Sequence, residues 1–247
     1  MNRILNCIPS HTEKNWTCRY PVTLEKDILP ISVDLRRDWW KISDQGETGS
    51  CVGQATVDSV LRWMFVTAQK INYTQRLSVR QVWVSAKETD EYTDYPTTFI
   101  EAEGTSLKAA LEIARNFGVV KEEVFSFDDD NYKGNLVDFY TEAAKLRISS
   151  YYQLVSLDQV RQWLAKHGPI PTCLQVDDNF MNCNHTGEIT EYNANNILGG
   201  HAIAIVGYTV DSLILRNSWG EGWGDKGYAY VPYSYFENFL ECYGVVV

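Results

Sequence analysis

The feature that most restricts the fold of this chain is a change of hydrophobic period near Pro169. Before it, apolar residues recur at helical spacing. Val57, Val60, Leu61, Met64, Phe65 and Ala68 follow the i, i+3, i+4, i+7 template from Cys51 onward. Leu107, Ala110, Leu111, Ala114 and Phe117 repeat it, with Thr105 or Ser106 as cap and Gly118 as stop. A third helix is expected over residues 136–146. A fourth should start at Ser156, whose Ser-x-x-Gln spacing to Gln159 forms a capping box, and end at His167-Gly168-Pro169. After Pro169, "IPTCLQV", "HAIAIVGY", "SLILRNSW" and "GYAYVPYSYF" are β-branched or aromatic, mostly alternating, and separated by turn residues. Helices first and strands second predict an α+β fold whose two subdomains face each other. The boundaries expected are an unpatterned N-terminal extension over 1–30, a mainly helical part over 31–150 and a mainly β part over 151–247.

Composition narrows the function. With 247 residues and 45% hydrophobic content, a sizeable core is available, and a net charge of −10 disfavours both nucleic acid and an anionic membrane surface. No apolar run is long enough to span a bilayer, and "MNRILNCIPSHTEKNW" is too short in its apolar part for a secretory signal. The expected location is therefore cytoplasmic, or reached by an export route the sequence does not reveal. Six cysteines show no CxxC and no zinc-type spacing to the four histidines, so no metal and no cofactor is expected. "GWGDKG" (222–227) matches GxGxxG, but a strand pattern follows it where a phosphate-binding turn needs a helix. "DDDNYKG" (128–134) has Lys133 where a calcium loop needs its turn glycine, and reads as a solvated acidic turn.

The chemistry centres on "QGETGSCVGQA" (45–55). A thiol in the first turn of a helix meets unpaired N–H donors and the positive end of the helix dipole, which favour thiolate. Gln45 could add a side-chain N–H2 to the backbone N–H of Cys51, giving two donors for an oxyanion. Taken alone, a buried inert cysteine is the commoner outcome. A nucleophilic thiol also needs a base. His11 lies in the irregular arm, His185 in a polar loop, and His167 at a helix end that favours an imidazolium. His201 opens a strand behind two glycines, and Asn217 ends the next strand sixteen residues later. A turn near Val210-Asp211 would bring the two to within a residue or so of opposite each other. Two unrelated polar residues at strand ends would give the same pattern.

Together, Gln45-Gly46, Gly49-Ser50-Cys51, His201-Ala202 and "NSWGEGWGDKGY" (217–228) resemble the papain-like cysteine peptidases over roughly residues 30–235. The resemblance implies a helical left and a β-rich right subdomain with the cleft between them. It implies Cys51 as nucleophile, His201 as general base and acid, Asn217 as the residue orienting the imidazole, and Gln45 in the oxyanion hole. Trp219 is implied as the indole covering the Asn–His hydrogen bond, and Gly104 as the glycine whose backbone pairs with the main chain of a protein or peptide substrate. Thr48 and Val52 stand where the family usually has cysteine and tryptophan, which removes a disulfide and fits a reducing compartment. The family's long helical pro-segment is also missing ahead of Gln45, so residues 1–30 are expected to act as a short built-in plug. The same triad could serve an acyltransferase or a deamidase, and the same fold a non-catalytic binding module.

Overall fold

The computed structural model describes residues 3–10, 28–89 and 104–247. After strand β1 (Val33–Asp34), one long helical run comprises α1 (Cys51–Gly53), a π-helical stretch (Gln54–Leu61) and α2 (Arg62–Thr67). Helices α3 (Val79–Thr89), α4 (Leu107–Asn116) and α5 (Leu136–Ala143) follow, the last prolonged by a 3-10 turn at Ala144–Leu146. The chain then alternates through β2 (Ser150–Gln153), α6 (Leu157–Lys166), β3 (Ile170–Asp177) and α7 (Asp178–Met181). It finishes with β4 (Ile197–Tyr208), β5 (Ser212–Arg216), β6 (Tyr228–Pro232), a 3-10 stretch (Tyr233–Asn238) and β7 (Phe239–Val246). The strands form one antiparallel sheet in the order β2-β7-β3-β4-β5-β6, with β1 paired to β4. This is the α+β arrangement expected.

Local signals worked where the chain supplies its own caps. Ser106 Oγ accepts from Ala109 N, and Gly118, at φ 90°, turns the chain out of α4. Ser156 Oγ accepts from Gln159 N, while Gln159 Oε1 reaches back to Val155 N at 2.7 Å. Elsewhere packing overrode the pattern. The helix after Cys51 was expected to bury one stripe, yet every residue of its π-helical stretch is buried. It runs through the middle of the molecule, packed against α3, α4 and the sheet, so it has no solvent face. Phe117, expected to face the core, is half exposed beside Tyr140. Helix α3 and strands β2 and β7 were not anticipated, and "YSYF" leaves the sheet as a 3-10 turn after Pro232.

Two hydrophobic cores flank the sheet. Along β4 the residues alternate: Ala202, Ala204 and Val206 face the helical run, whereas Ile203 and Ile205 face α6 and α7. The small side chains on the first face let the Cys51 helix sit close to the sheet. A buried ion pair ties the two together. Asp58 Oδ2 accepts from Arg216 Nη2 at 3.0 Å, and Arg216 Nη1 donates to Ser59 Oγ at 2.6 Å. Arg62 and Arg76 also stand 3.5 Å from Asp58, so its carboxylate stays ionised against the cost of burial. Arg216 directly precedes Asn217, so this pair fixes the end of β5 relative to the helix that carries Cys51.

Candidate active site

Cys51 opens α1, and its sulfur lies beside the backbone amides of Val52, Ala202 and Asn6. Ala202 is the neighbour of His201, so the helix start meets the middle of β4. His201 is the fifth residue of that strand and does not open it, because pairing with β3 extends the strand back through Gly199 and Gly200. His201 Nε2 is 2.8 Å from Asn217 Oδ1. The backbone N–H of Ser218 donates to that same Oδ1 at 2.8 Å, which identifies the atom as the amide oxygen. An oxygen there can only accept, so Nε2 carries the proton and Nδ1 keeps its lone pair. Nδ1 is buried and has no hydrogen-bond partner among the described residues. Ala204 faces Arg216 across β4–β5, so the next pair in register is Ile203 and Asn217. His201 is thus two residues from direct opposition, not one, and the even offset keeps both side chains on the same face.

Trp219 stacks on the His201 ring, 4.6 Å between centroids at 30°, and is itself held edge-on by Phe180 and Trp223. Gln45 is buried, its Nε2 donating to Thr48 O at 2.9 Å and its Oε1 accepting from Ser218 Oγ at 2.8 Å. Its second Nε2 hydrogen has no acceptor among the described residues. Thr48, the departure from the usual cysteine, closes this loop by donating from Oγ1 to Gln45 O at 2.8 Å. Ser218 was not singled out in the sequence. It bonds Gln45 through its side chain, accepts from Gln45 N through its carbonyl, and bonds Asn217 through its amide. It lies in the quoted "NSWG", where its position between Asn217 and Trp219 was the available signal.

The N-terminal arm fills the cleft between Gly104 and β4. Asn6 makes a parallel bridge to Gly200 and presents its amide to Cys51. Cys7 N donates to Gly200 O at 3.1 Å, and Ile8 N to Thr105 O at 3.3 Å. Glycine is required on both sides, because a Cβ at Gly104 would overlap the Asn6 carbonyl and one at Gly200 the Cys7 carbonyl. Ser10 N reaches Glu241 Oε2 at one end, and at the other Arg3 stands on Trp219. Residues 1–2 and 11–27 of the expected plug, with His11, lie outside the described residues.

With the arm in place both Cys51 and His201 are 0% exposed. Burial pushes the Cys51 thiol up to about 12, against the pull of the three amides. Burial likewise brings His201 down to about 4, opposed by Asn217 and aided by the Arg3 charge. The pair is therefore neutral at physiological pH in this arrangement, and Cys51 is not the thiolate its place in the first helical turn suggested. His167 also departs from expectation: burial and the adjacent Lys166 lower its pKa, and its ring packs on Trp163 at 4.4 Å. His185 is exposed in its loop. Cys7, Cys51, Cys173, Cys183 and Cys242 are all free thiols. No group of three or more metal-ligating side chains occurs among the described residues, and none of their helices is long and apolar enough to cross a membrane.

Comparison with known proteins converges on one family. The family model described as "Papain family cysteine protease" matches residues 29–239. A viral cathepsin of Choristoneura fumiferana nuclear polyhedrosis virus is 30% identical over 211 residues, covering 81% of this chain and 58% of its own length. A cysteine protease of Blomia tropicalis is 27% identical, with 82% of this chain and 61% of its own length covered. The chain thus spans about three-fifths of these relatives. Among solved structures, xylellain, a cysteine protease from Xylella fastidiosa, superimposes with a TM-score of 0.83 at 20% identity over 99% of this chain and 96% of its own. The digestive procathepsin L 3 of Tenebrio molitor gives 0.71 at 18% identity over 99% and 77%. The family-model match includes Gln45, Cys51, His201, Asn217 and Trp219, and leaves out the arm residues 3–10 and Glu241. The chain belongs to the papain family of cysteine proteases.

Proposed function

We propose that this chain is a cysteine endopeptidase held latent by its own N-terminal arm. The observation that carries the reading is the His201–Asn217 hydrogen bond, which leaves Nδ1 as a base while the Cys51 sulfur rests on the amide of the residue next to His201. Once the arm withdraws, water and substrate reach both groups. Nδ1 takes the thiol proton and the sulfur attacks the scissile carbonyl. The Cys51 N–H and the second Nε2 hydrogen of Gln45 hold the oxyanion. His201 then protonates the leaving amine, and water hydrolyses the thioester with His201 again as base. Asn217 keeps the ring in the productive tautomer, and Trp219 shields that bond from water. In this reading residues 31–150 supply nucleophile and oxyanion donors, and 151–247 supply the base.

Because His201 serves the leaving amine, the carboxyl-side half of a substrate must pass Trp219, and the amino-side half must pass Gly104. The arm runs the other way, with Arg3 at Trp219 and Ile8 beside Thr105. It fills the cleft without presenting a bond in the order the machinery cuts.

An irreversible epoxide probe should label Cys51, faster once residues 1–30 are removed, and a small fluorogenic peptide should then be cleaved. Cys51→Ala and His201→Ala should abolish both. Labelling that persists in Cys51→Ala, or an activity that does not rise on removing the arm, refutes the reading.

A further inference from the structure

The arm is a ligand supplied by the chain itself, and its end at Trp219 shows what that part of the cleft binds. Arg3 Nη1 bonds Asp44 Oδ1 at 2.5 Å and Gly46 O at 3.1 Å, while Nη2 bonds Trp219 O at 2.9 Å and Asp44 Oδ2 at 3.4 Å. The guanidinium also lies 5.8 Å from the centre of the Trp219 ring. Both nitrogens of the fork meet a carboxylate and a carbonyl, and the Arg3 side chain is only 10% exposed whereas Asp44 is 44% exposed.

These acceptors do not depend on the arm for their positions. Asp44 pairs with Trp219 in an antiparallel bridge, Gln45 N bonds Ser218 O, and Gly220 N bonds Ser43 O. The Asp44 side chain accepts from Gly46 N at 2.9 Å. With Arg3 in place, Asp44, Trp219 and Arg3 itself already line an open depression of about 530 Å³, so a side chain that replaced Arg3 would be reached from solvent. Glu221 adds a second carboxylate to its wall, and the Trp219 ring closes one side.

We infer that Asp44 is a specificity-determining residue, and that the cleft beside Trp219 selects an arginine side chain in the first or second residue after the scissile bond. The inference rests on the peptidase reading and deepens it. Lysine fits less well, because a single ammonium cannot meet the carboxylate and both carbonyls in the plane of a fork. Citrulline has the shape of arginine without its charge and isolates the effect.

The test uses the full chain and a pair of fluorogenic peptides that differ only in arginine or citrulline at those positions. The fraction of molecules with the arm withdrawn multiplies both rates and cancels in the ratio of kcat/KM. That ratio should favour arginine by about tenfold, the effect of losing charge-assisted hydrogen bonds. It should fall to about one to two in Asp44→Asn and partly recover in Asp44→Glu. A ratio near one in the parent, or one unchanged in Asp44→Asn, overturns the assignment of Asp44 while leaving the peptidase reading intact. Failure to cleave either peptide, with no epoxide labelling of Cys51 even after residues 1–30 are removed, overturns both.

Discussion

Moving the arm should change the protonation state of the site, by an amount that follows from the structure. With the arm in place, passing a proton from Cys51, near 12, to His201, near 4, spans eight pKa units. At 1.36 kcal/mol per unit that costs about 11 kcal/mol. Attraction between the resulting charges returns about 4 kcal/mol at 4 Å and an effective dielectric of 20. The ion pair is then disfavoured by roughly 7 kcal/mol and is essentially unpopulated. If withdrawal restores the ordinary values of 9.0 and 6.5, the cost falls to about 3 kcal/mol, which the attraction offsets. The perturbation is Arg3→Ala with Cys7→Pro, which removes the guanidinium anchor and the N–H donated to Gly200. Iodoacetamide alkylation of Cys51, followed by mass spectrometry of its peptide as a function of pH, reads the thiolate. The parent should react at pH 7 only at the rate of arm opening. The variant should react at least a hundredfold faster, with its acid limb below neutrality. Equal rates at pH 7, or a thiolate limb near neutrality in a parent whose arm stays protected from proteolysis, would show that the arm does not set these values.

Acid should loosen the arm. His201 has its pKa lowered in the closed form, so that form gains no proton until about pH 4, whereas a freed imidazole gains one near 6.5. Closure therefore weakens as pH falls from 6.5 to 4, by up to about 300-fold for the 2.5-unit difference. Burial alone would raise Asp44, but Arg3 and the Gly46 amide together hold it below its ordinary 3.8, so its share of the latch is kept above 3.8 and lost below it. Limited proteolysis of the arm across this range checks both signs, and protection that grows with acid contradicts them. Ser218→Ala removes the hydroxyl donated to Gln45 Oε1, and kcat should fall about tenfold with KM little changed if Gln45 is the oxyanion donor proposed, since that bond positions its amide. Asp58→Ala leaves the Arg216 charge buried without its carboxylate and should cost about 3–5 kcal/mol in denaturant unfolding. A loss below 1 kcal/mol would mean that the pair does not brace the sheet against the helix.

The residues whose role is local were legible in the chain itself. Ser106, Ser156 with Gln159, and Gly118 announced their helix ends because a cap bonds within three or four residues of its own position. Cys51 and Asn217 stood out because each occupies a singular place, a first helical turn or a strand end. His201 stood out because two glycines clear space before it, although β4 begins four residues earlier than its pattern suggests. Missed elements are those whose surroundings come from distant sequence. β2 and β7 pair with each other across the opening and closing of the β-rich half, α3 is buried by packing, and the helix after Cys51 is enclosed on every side. The tertiary structure alone decided three matters. It placed Ser218 between Gln45 and Asn217, selected residues 3–10 out of the expected plug to cover Cys51, and removed the charges from Cys51 and His201. The physical reason is common to all three. Hydrogen-bond partners and desolvation are set by what folding brings within a few ångströms, whereas a sequence displays only the groups that wait to be paired.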